Sequence, residues 1–478
     1  MEVLLKIFTS KFWSTLALIL ISQNPVGTFA QDQIKQYDEG SVYEGAFKNG
    51  LRNGLGKYTM PDGFTYEGEW KDDQIQGKGV ARYPTGQLFE GSFKQGVPDG
   101  EGTMTFADGT KYSGSWLDGK MEGDGTLSMT DGSVFKGKFS NNKRDGYGEM
   151  AYSDGSAFKG NWKDNEKQGN GTLIYADKST YEGNWEKGLQ EGFGKLITKD
   201  GVVLEGEWKN GKIDGIGRLV QSNGDRYEGY LVDWKRNGRG VSIYTTGEKY
   251  DGSFKDDLRH GQGILTGKDG FRYEGNWSLG KMDGFGKITY SSGSIYEGNF
   301  KNNQPNGKGK INFSDGGSYE GAWINGVIEG IGIAKYANGL VYEGEFSRGK
   351  NNGFGTMTYS DGYVYKGNWK NGIQEGKGEE KFPNGTTYKG EFKNNQRHGK
   401  GTMKMEDGFS YTGDWVSGEM SGKGIVVYAN GDQYDGNFLN GKREGKGIMT
   451  FQDGEVIDST WKAGKEVKKE KTKATPSN

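Results

Sequence analysis

Aromatic and polar positions alternate along this chain strictly enough to set its secondary structure. In Tyr66-Glu67-Gly68-Glu69-Trp70-Lys71 the first, third and fifth residues are ring, glycine and ring, and those between are charged. A spacing of two sends one set to each face of a β-strand, which predicts a strand with one solvated face. The alternation begins at Tyr43 and returns every 23 residues, without insertion or deletion, as far as Ile457. Numbered from position 0 at Tyr43, the chain holds eighteen complete units ending at Val456 and a broken nineteenth, Ile457 to Trp461.

The second half of each unit carries glycine at positions 11 and 13, as in Gly77 and Gly79, then a mostly apolar position 15 and a mostly aromatic or methionine position 17, as in Leu173 and Tyr175. This too is period two and predicts a second strand. Asn49-Gly50 and Asn210-Gly211 stand between the strands, and Asp62-Gly63 and Asn338-Gly339 stand between units. Such dipeptides favour the positive φ of tight turns, so each unit is a predicted hairpin. The predicted fold is all-β, an elongated single-layer antiparallel sheet of stacked hairpins in which each unit packs on its neighbours. About 36 strands at roughly 4.8 Å would make a rod of about 170 Å, curled into a trough with its small-residue face concave. Glycine is a poor strand residue unless a neighbouring ring lies in the slot it leaves. The rings at positions 0 and 4 are therefore expected to cover the glycines at 2, 11 and 13. Tyr66, Trp70, Tyr181, Trp185, Tyr273, Trp277, Tyr365 and Trp369 represent this set. If some stay open, they form an aromatic trough able to stack on sugars or take up an apolar peptide.

Hydrophobic residues are only 32% of the chain, but 87 glycines and 13% aromatics place the deficit in aliphatics, not in ordered structure. A net charge of -2 gives no bulk attraction to nucleic acid. Lys6 and Lys11, the apolar run Leu16 to Ile21 and a segment ending at Ala30 follow the order of a secretory signal peptide. The expected organisation is a signal peptide over 1–30, a linker over 31–42, the array over 43–461 and a Lys-rich disordered tail over 462–478. The absence of cysteine leaves an exported chain to be held together by repeat stacking alone.

The pattern Tyr-Glu-Gly-x-Trp, Gly-x-Gly and Asp-Gly, with Glu205 to Gly211 as its clearest copy, resembles the MORN (membrane occupation and recognition nexus) repeat. That resemblance implies a sheet of stacked hairpins acting as a scaffold, through protein partners, self-association or membrane surfaces. Three departures stand out: Lys178 in the place of a terminal turn glycine, Leu204 at position 0, and Leu231 at position 4 with Trp234 in the following turn. A bend or loosened hairpin is expected there.

Catalytic chemistry finds little support. Each Gly-x-Gly lies inside a strand and no Gly-Lys is followed by Ser or Thr, so no phosphate-binding loop of the Walker type is present. His260 and His398 both occupy position 10, six periods apart, and without cysteine they offer neither a metal cluster nor a nucleophile pair. No enzyme, metal or cofactor is expected. The expected role is an exported scaffold for a protein partner or itself, with envelope polysaccharide or anionic lipid as alternative partners. The candidate interaction surface is the apolar subset of position 12, Phe193, Ile216, Phe285, Ile331 and Phe354, together with Trp234. Position 12 is lysine in Lys377, Lys400, Lys423 and Lys446, so these apolar residues face the polar side and invite a partner.

Overall fold

The computed structural model describes residues 33–467, which contain 39 strands and no helix. The chain divides into two compact units. One holds residues up to Lys178 with Trp185–Gly188, the other Ser179–Asn184 with residues from Leu189 onward. Within each unit strands pair antiparallel with their sequence neighbours, in the first from Gln33–Gln36 through Val42–Lys48 and Leu51–Thr59, in the second as Ile295–Lys301, Gln304–Asn312 and Ser318–Ile324. The signal segment over 1–30 and most of the Lys-rich tail lie outside the described residues. Two of the expected boundaries move. The linker contains the strand Gln33–Gln36, which covers the edge of the first hairpin, and Lys462 and Lys465 belong to strands at the end of the last one.

The unit from Tyr296 shows why this sequence folds so. Asn302 and Asn303 take φ of 50 and 71° and make the tight turn between a seven-residue and a nine-residue strand. Gly298 pairs with Gly309 and Phe300 with Pro305, leaving Asn299 opposite no single partner. This is a β-bulge, and Gly307 completes it at φ 99°. The glycine at position 11 thus serves the backbone, whereas the sequence pattern placed it under a ring. Its side-chain direction is reversed too: a Cβ on Gly284 would meet Asn276, and one on Gly422 would meet Asp414, both on the polar face.

The ring does cover the other two glycines. A Cβ on Gly309 would collide with the hydroxyl end of the Tyr296 ring, and one on Gly298 would lie 2.5 Å from the Cα of Gly309. Tyr296 meets Phe300 edge to face at 5.1 Å and Trp323 of the next hairpin at 5.2 Å. The Tyr296 hydroxyl donates to the Asn299 carbonyl at 3.0 Å, at the residue that the bulge leaves without a partner in its own hairpin, and Trp323 Nε1 donates to Gly309 O at 3.2 Å. One tyrosine therefore fills a glycine slot, closes the bulge and touches the next unit.

The stretch with the weakest sequence pattern keeps its hairpins instead of loosening. Val203–Lys209, Lys212–Val220, Arg226–Val232 and Lys235–Ile243 retain the lengths of seven and nine residues. Leu204 is too short to reach over Gly217, and the space is taken by the ends of Ile213 and Leu231, both fully buried. Aliphatic groups from two other strands substitute for one ring.

Replacing Tyr296 with Phe should cost about 1 kcal/mol through the lost hydrogen bond, whereas Gly309→Ala should cost about 2–3 kcal/mol because the ring must leave its slot. Hydrogen exchange of amides in 295–312 reads both effects locally, which suits an array whose units open separately.

Candidate interaction face

The eight rings of the expected trough are closed to ligands. Tyr66, Tyr181, Tyr273 and Tyr365 are fully buried, and Trp70, Trp185, Trp277 and Trp369 retain 3–6% of their surface. Edge-to-face neighbours cover the ring surface that glycine does not, as where Tyr66 meets Trp70 at 5.5 Å and Phe93 at 5.1 Å. Cations at position 9 lie over this core: the Arg52 guanidinium is 4.2 Å from the Trp70 ring centre and Arg443 is 3.7 Å from that of Trp461. The aromatic trough is therefore the hydrophobic core itself.

Burial has an electrostatic signature. It pushes the Tyr227, Tyr250 and Tyr319 phenols up to about 12, and those of Tyr296 and Tyr388 further, because an ionised phenol would lose its hydration. One core position departs from apolar chemistry. Glu380 stands at position 15, where neighbouring units carry Met357 and Met403, and is 7% exposed. It accepts from Arg397 Nε at 2.7 Å and from the Tyr363 hydroxyl at 2.7 Å, while Arg397 also lies over Tyr388 and Trp415. Sequence reasoning missed this triad; the signal was one carboxylate at a mostly apolar position.

Away from the rings the first unit carries a channel. In the first unit a cavity of 1090 Å³ is floored by Gly45, Gly56, Gly68, Gly79, Gly91 and Gly102. One wall is the row of positions 1 and 14, where Lys57 stands between Glu44 and Glu67, and the other includes position 12 through Leu55, Lys78 and Glu101. The groove thus lies on the side away from the rings, not among them. It forms because the residues over the glycine ladder have no side chains of their own to fill it.

Five of the six candidate surface residues share one row in the second unit, on the face away from its rings. Phe193 is 58% exposed, Ile216 68%, Phe285 55%, Ile331 73% and Phe354 50%. They stand opposite Glu207, Tyr230, Asn299, Glu345 and Asn368. Trp234 lies elsewhere, at a hairpin turn with φ 72°, its ring edge-on to Trp208 at 6.0 Å. In later units the row becomes lysine, and Lys400 binds Asp414 at 2.6 Å, a hydrogen bond that holds the Asp414 carboxyl below its usual range. Among the described residues no group of His, Asp and Glu is placed to hold a metal ion. His260 and His398 are the third residues of the strands Leu258–Thr266 and Gln396–Lys404, just past their hairpin turns, and the Nδ1 of His260 is buried without a hydrogen-bond partner.

Hairpins that bury their rings on one face and pack each on the next in sequence define the class of repeat proteins. The family model of the MORN repeat matches seventeen stretches between residues 43 and 456. The chain belongs to the MORN-repeat family. The matches skip 227–249, the unit with Leu231 and Trp234, although its hairpin is intact. Among curated proteins no sequence match is found. Solved structures similar to the chain include the TCP domain of SAS-4 (dCPAP) of Drosophila Melanogaster in complex with a proline-rich motif of Ana2 (dSTIL), at 16% identity and TM-score 0.23, covering 37% of this chain and 90% of that one. The G-box domain of the microcephaly protein CPAP matches at 12% identity and TM-score 0.21, over 47% and 100% of the two chains. The TCP10 domain of Danio rerio CPAP matches at 12% identity and TM-score 0.15, over 56% and 99%.

Two outcomes follow from the core chemistry. A phenol raised on folding binds its proton more tightly in the native state, so the unfolded chain loses protons first above about pH 10 and native stability falls from there. Urea unfolding followed by circular dichroism should show constant stability between about pH 7 and 9 and a steep decline between 10 and 12. Arg397→Met should destabilise its region by about 3–5 kcal/mol by stranding a buried carboxylate, and adding Glu380→Met should restore most of the loss; hydrogen exchange across 373–404 distinguishes the two variants.

Proposed function

We propose that the chain is an exported, non-enzymatic scaffold that binds a protein partner, or a second copy of itself, along the face opposite its rings. The observation that carries this reading is the exposed row Phe193, Ile216, Phe285, Ile331 and Phe354. The hairpin does not need these side chains, since units with Lys377 or Lys423 at the same position form the same strands. Apolar surface of that kind is stabilised only by being covered. MORN-repeat proteins are in general protein- or membrane-interaction scaffolds, and the order Lys6, Lys11, apolar run and Ala30 supports export.

The alternatives are less well supported. Polysaccharide stacking would need open rings, and those of the expected trough are enclosed. Attachment to anionic lipid would draw on the lysines of the C-terminal end, most of which lie outside the described residues.

The test is retention of proteins from the extracellular or periplasmic fraction on the immobilised mature chain, compared with a variant carrying Ile331→Lys and Phe354→Lys, the residue that later units carry at this position. Partners held by the native chain and reduced about tenfold by the variant are expected; no retained partner, or equal retention, would defeat the reading. Export predicts a mature N-terminus at Gln31 by mass spectrometry of protein recovered outside the cytoplasm.

A further inference from the structure

The exposed row opposite the rings of the second unit has a repeat length, and that length selects among peptide conformations. Each hairpin adds two strands, so at 4.7–4.9 Å per strand successive position-12 side chains stand about 9.4–9.8 Å apart along the row. The glycines next to the row are engaged in the ladder, as in Gly309 with Gly321, Gly332 with Gly344 and Gly355 with Gly367. A ligand lying along the row therefore meets side chains and cannot add itself as a strand. A β-strand brings a side chain back to the same side every 6.6–6.8 Å or so, and two turns of α-helix take about 10.8 Å. A polyproline II helix returns every three residues in about 9.3 Å, and its solvated backbone asks for no main-chain partner. Over the three units from Phe285 to Phe354 its accumulated mismatch is at most about 1.5 Å, which side-chain rotamers absorb.

We propose that the second unit carries a binding track for a proline-rich peptide in the polyproline II conformation. This rests on the protein-binding reading above and names the partner's chemistry. Phe285, Ile331 and Phe354 meet an apolar residue at every third place of the ligand. Beyond them the track changes sign of preference without changing period. Lys377 stands opposite Glu391, but Lys423 and Lys446 stand opposite Asn437 and Thr460, which bring no negative charge across the strand. Acidic residues spaced by three in the ligand complement this end. Lys308, between Phe285 and Ile331, interrupts the apolar stretch once.

The experiment uses the full mature chain and a fluorescent peptide of eighteen residues with proline at two of every three places, the third being leucine in one half and glutamate in the other, made in both orders. Anisotropy should show binding at least tenfold tighter than that of a peptide of the same composition with the third-residue spacing broken. Phe354→Lys should weaken it about tenfold, in line with removing one buried aromatic contact. Lys423→Glu with Lys446→Glu should weaken the glutamate-bearing peptide and leave an all-leucine version unchanged. Circular dichroism melting checks that each variant is folded. Equal binding of the broken-phase peptide, or no response to these substitutions, overturns the proposal. Binding of a heptad-spaced helical peptide instead, or a concentration-dependent dimer abolished by Phe354→Lys with no peptide bound, also overturns it while leaving the protein-binding reading in place. If neither peptide nor partner is retained, both readings fall.

Discussion

A phenol ring packed against glycine backbone is the contact on which this structure depends. A single-layer sheet has no second layer to bury against, so its core must fit within the thickness of one side chain. Glycine at positions 2 and 13 brings paired backbones close, with a Cβ on Gly298 reaching 2.5 Å from Gly309 Cα, and the Tyr296 ring occupies the space above. The next hairpin's Trp323 closes the ring's edge and hydrogen-bonds to the same glycine. Tyrosine suits the site better than phenylalanine because its hydroxyl also reaches the carbonyl freed by the bulge.

This arrangement divides the labour between faces. All the apolar burial that stabilises a hairpin occurs on the ring side, so the opposite face is released from any duty in folding. Position 12 can then be Phe354, Lys377 or Asn170 over the same strand geometry. Variation confined to one face over a constant scaffold is how binding surfaces are diversified without loss of fold. The exposed apolar row and the lysine row that follows it are differences of this kind.

Much of this was legible in the sequence because both its periods are strict. Alternation set the strands, Asn-Gly and Asp-Gly set the turns, and the ring-on-glycine packing followed from the poor strand propensity of glycine. The bulge was not legible: a glycine beneath a ring and a glycine at positive φ look alike in sequence, so Gly307 was assigned to the wrong face. The closure of the trough was not legible either, since it depends on edge contacts between rings 23 or more residues apart, as between Tyr43 and Trp70. The same holds where Leu204 should have left a gap, which Ile213 and Leu231 fill from other strands. Glu380 was hidden because Arg397, which neutralises it, and Tyr363, which donates a hydrogen bond to it, are seventeen residues away on either side.

The turns also govern how such a chain can change its length. The bulge sets one strand residue against three and so adds two residues without changing which face follows, whereas the two-residue turn at Asn302 and Asn303 makes the count per unit odd; adding or losing one residue inside a strand would exchange core and solvent faces from that point to the next turn. Removing a whole unit, by contrast, brings together a tyrosine and a tryptophan or phenylalanine that match the contact just lost, as in Tyr296 with Trp323 and Tyr319 with Phe346. The array is therefore quantised: it grows and shrinks by 23 residues at a time, and any ligand track on its outer face is a ruler with the same graduations.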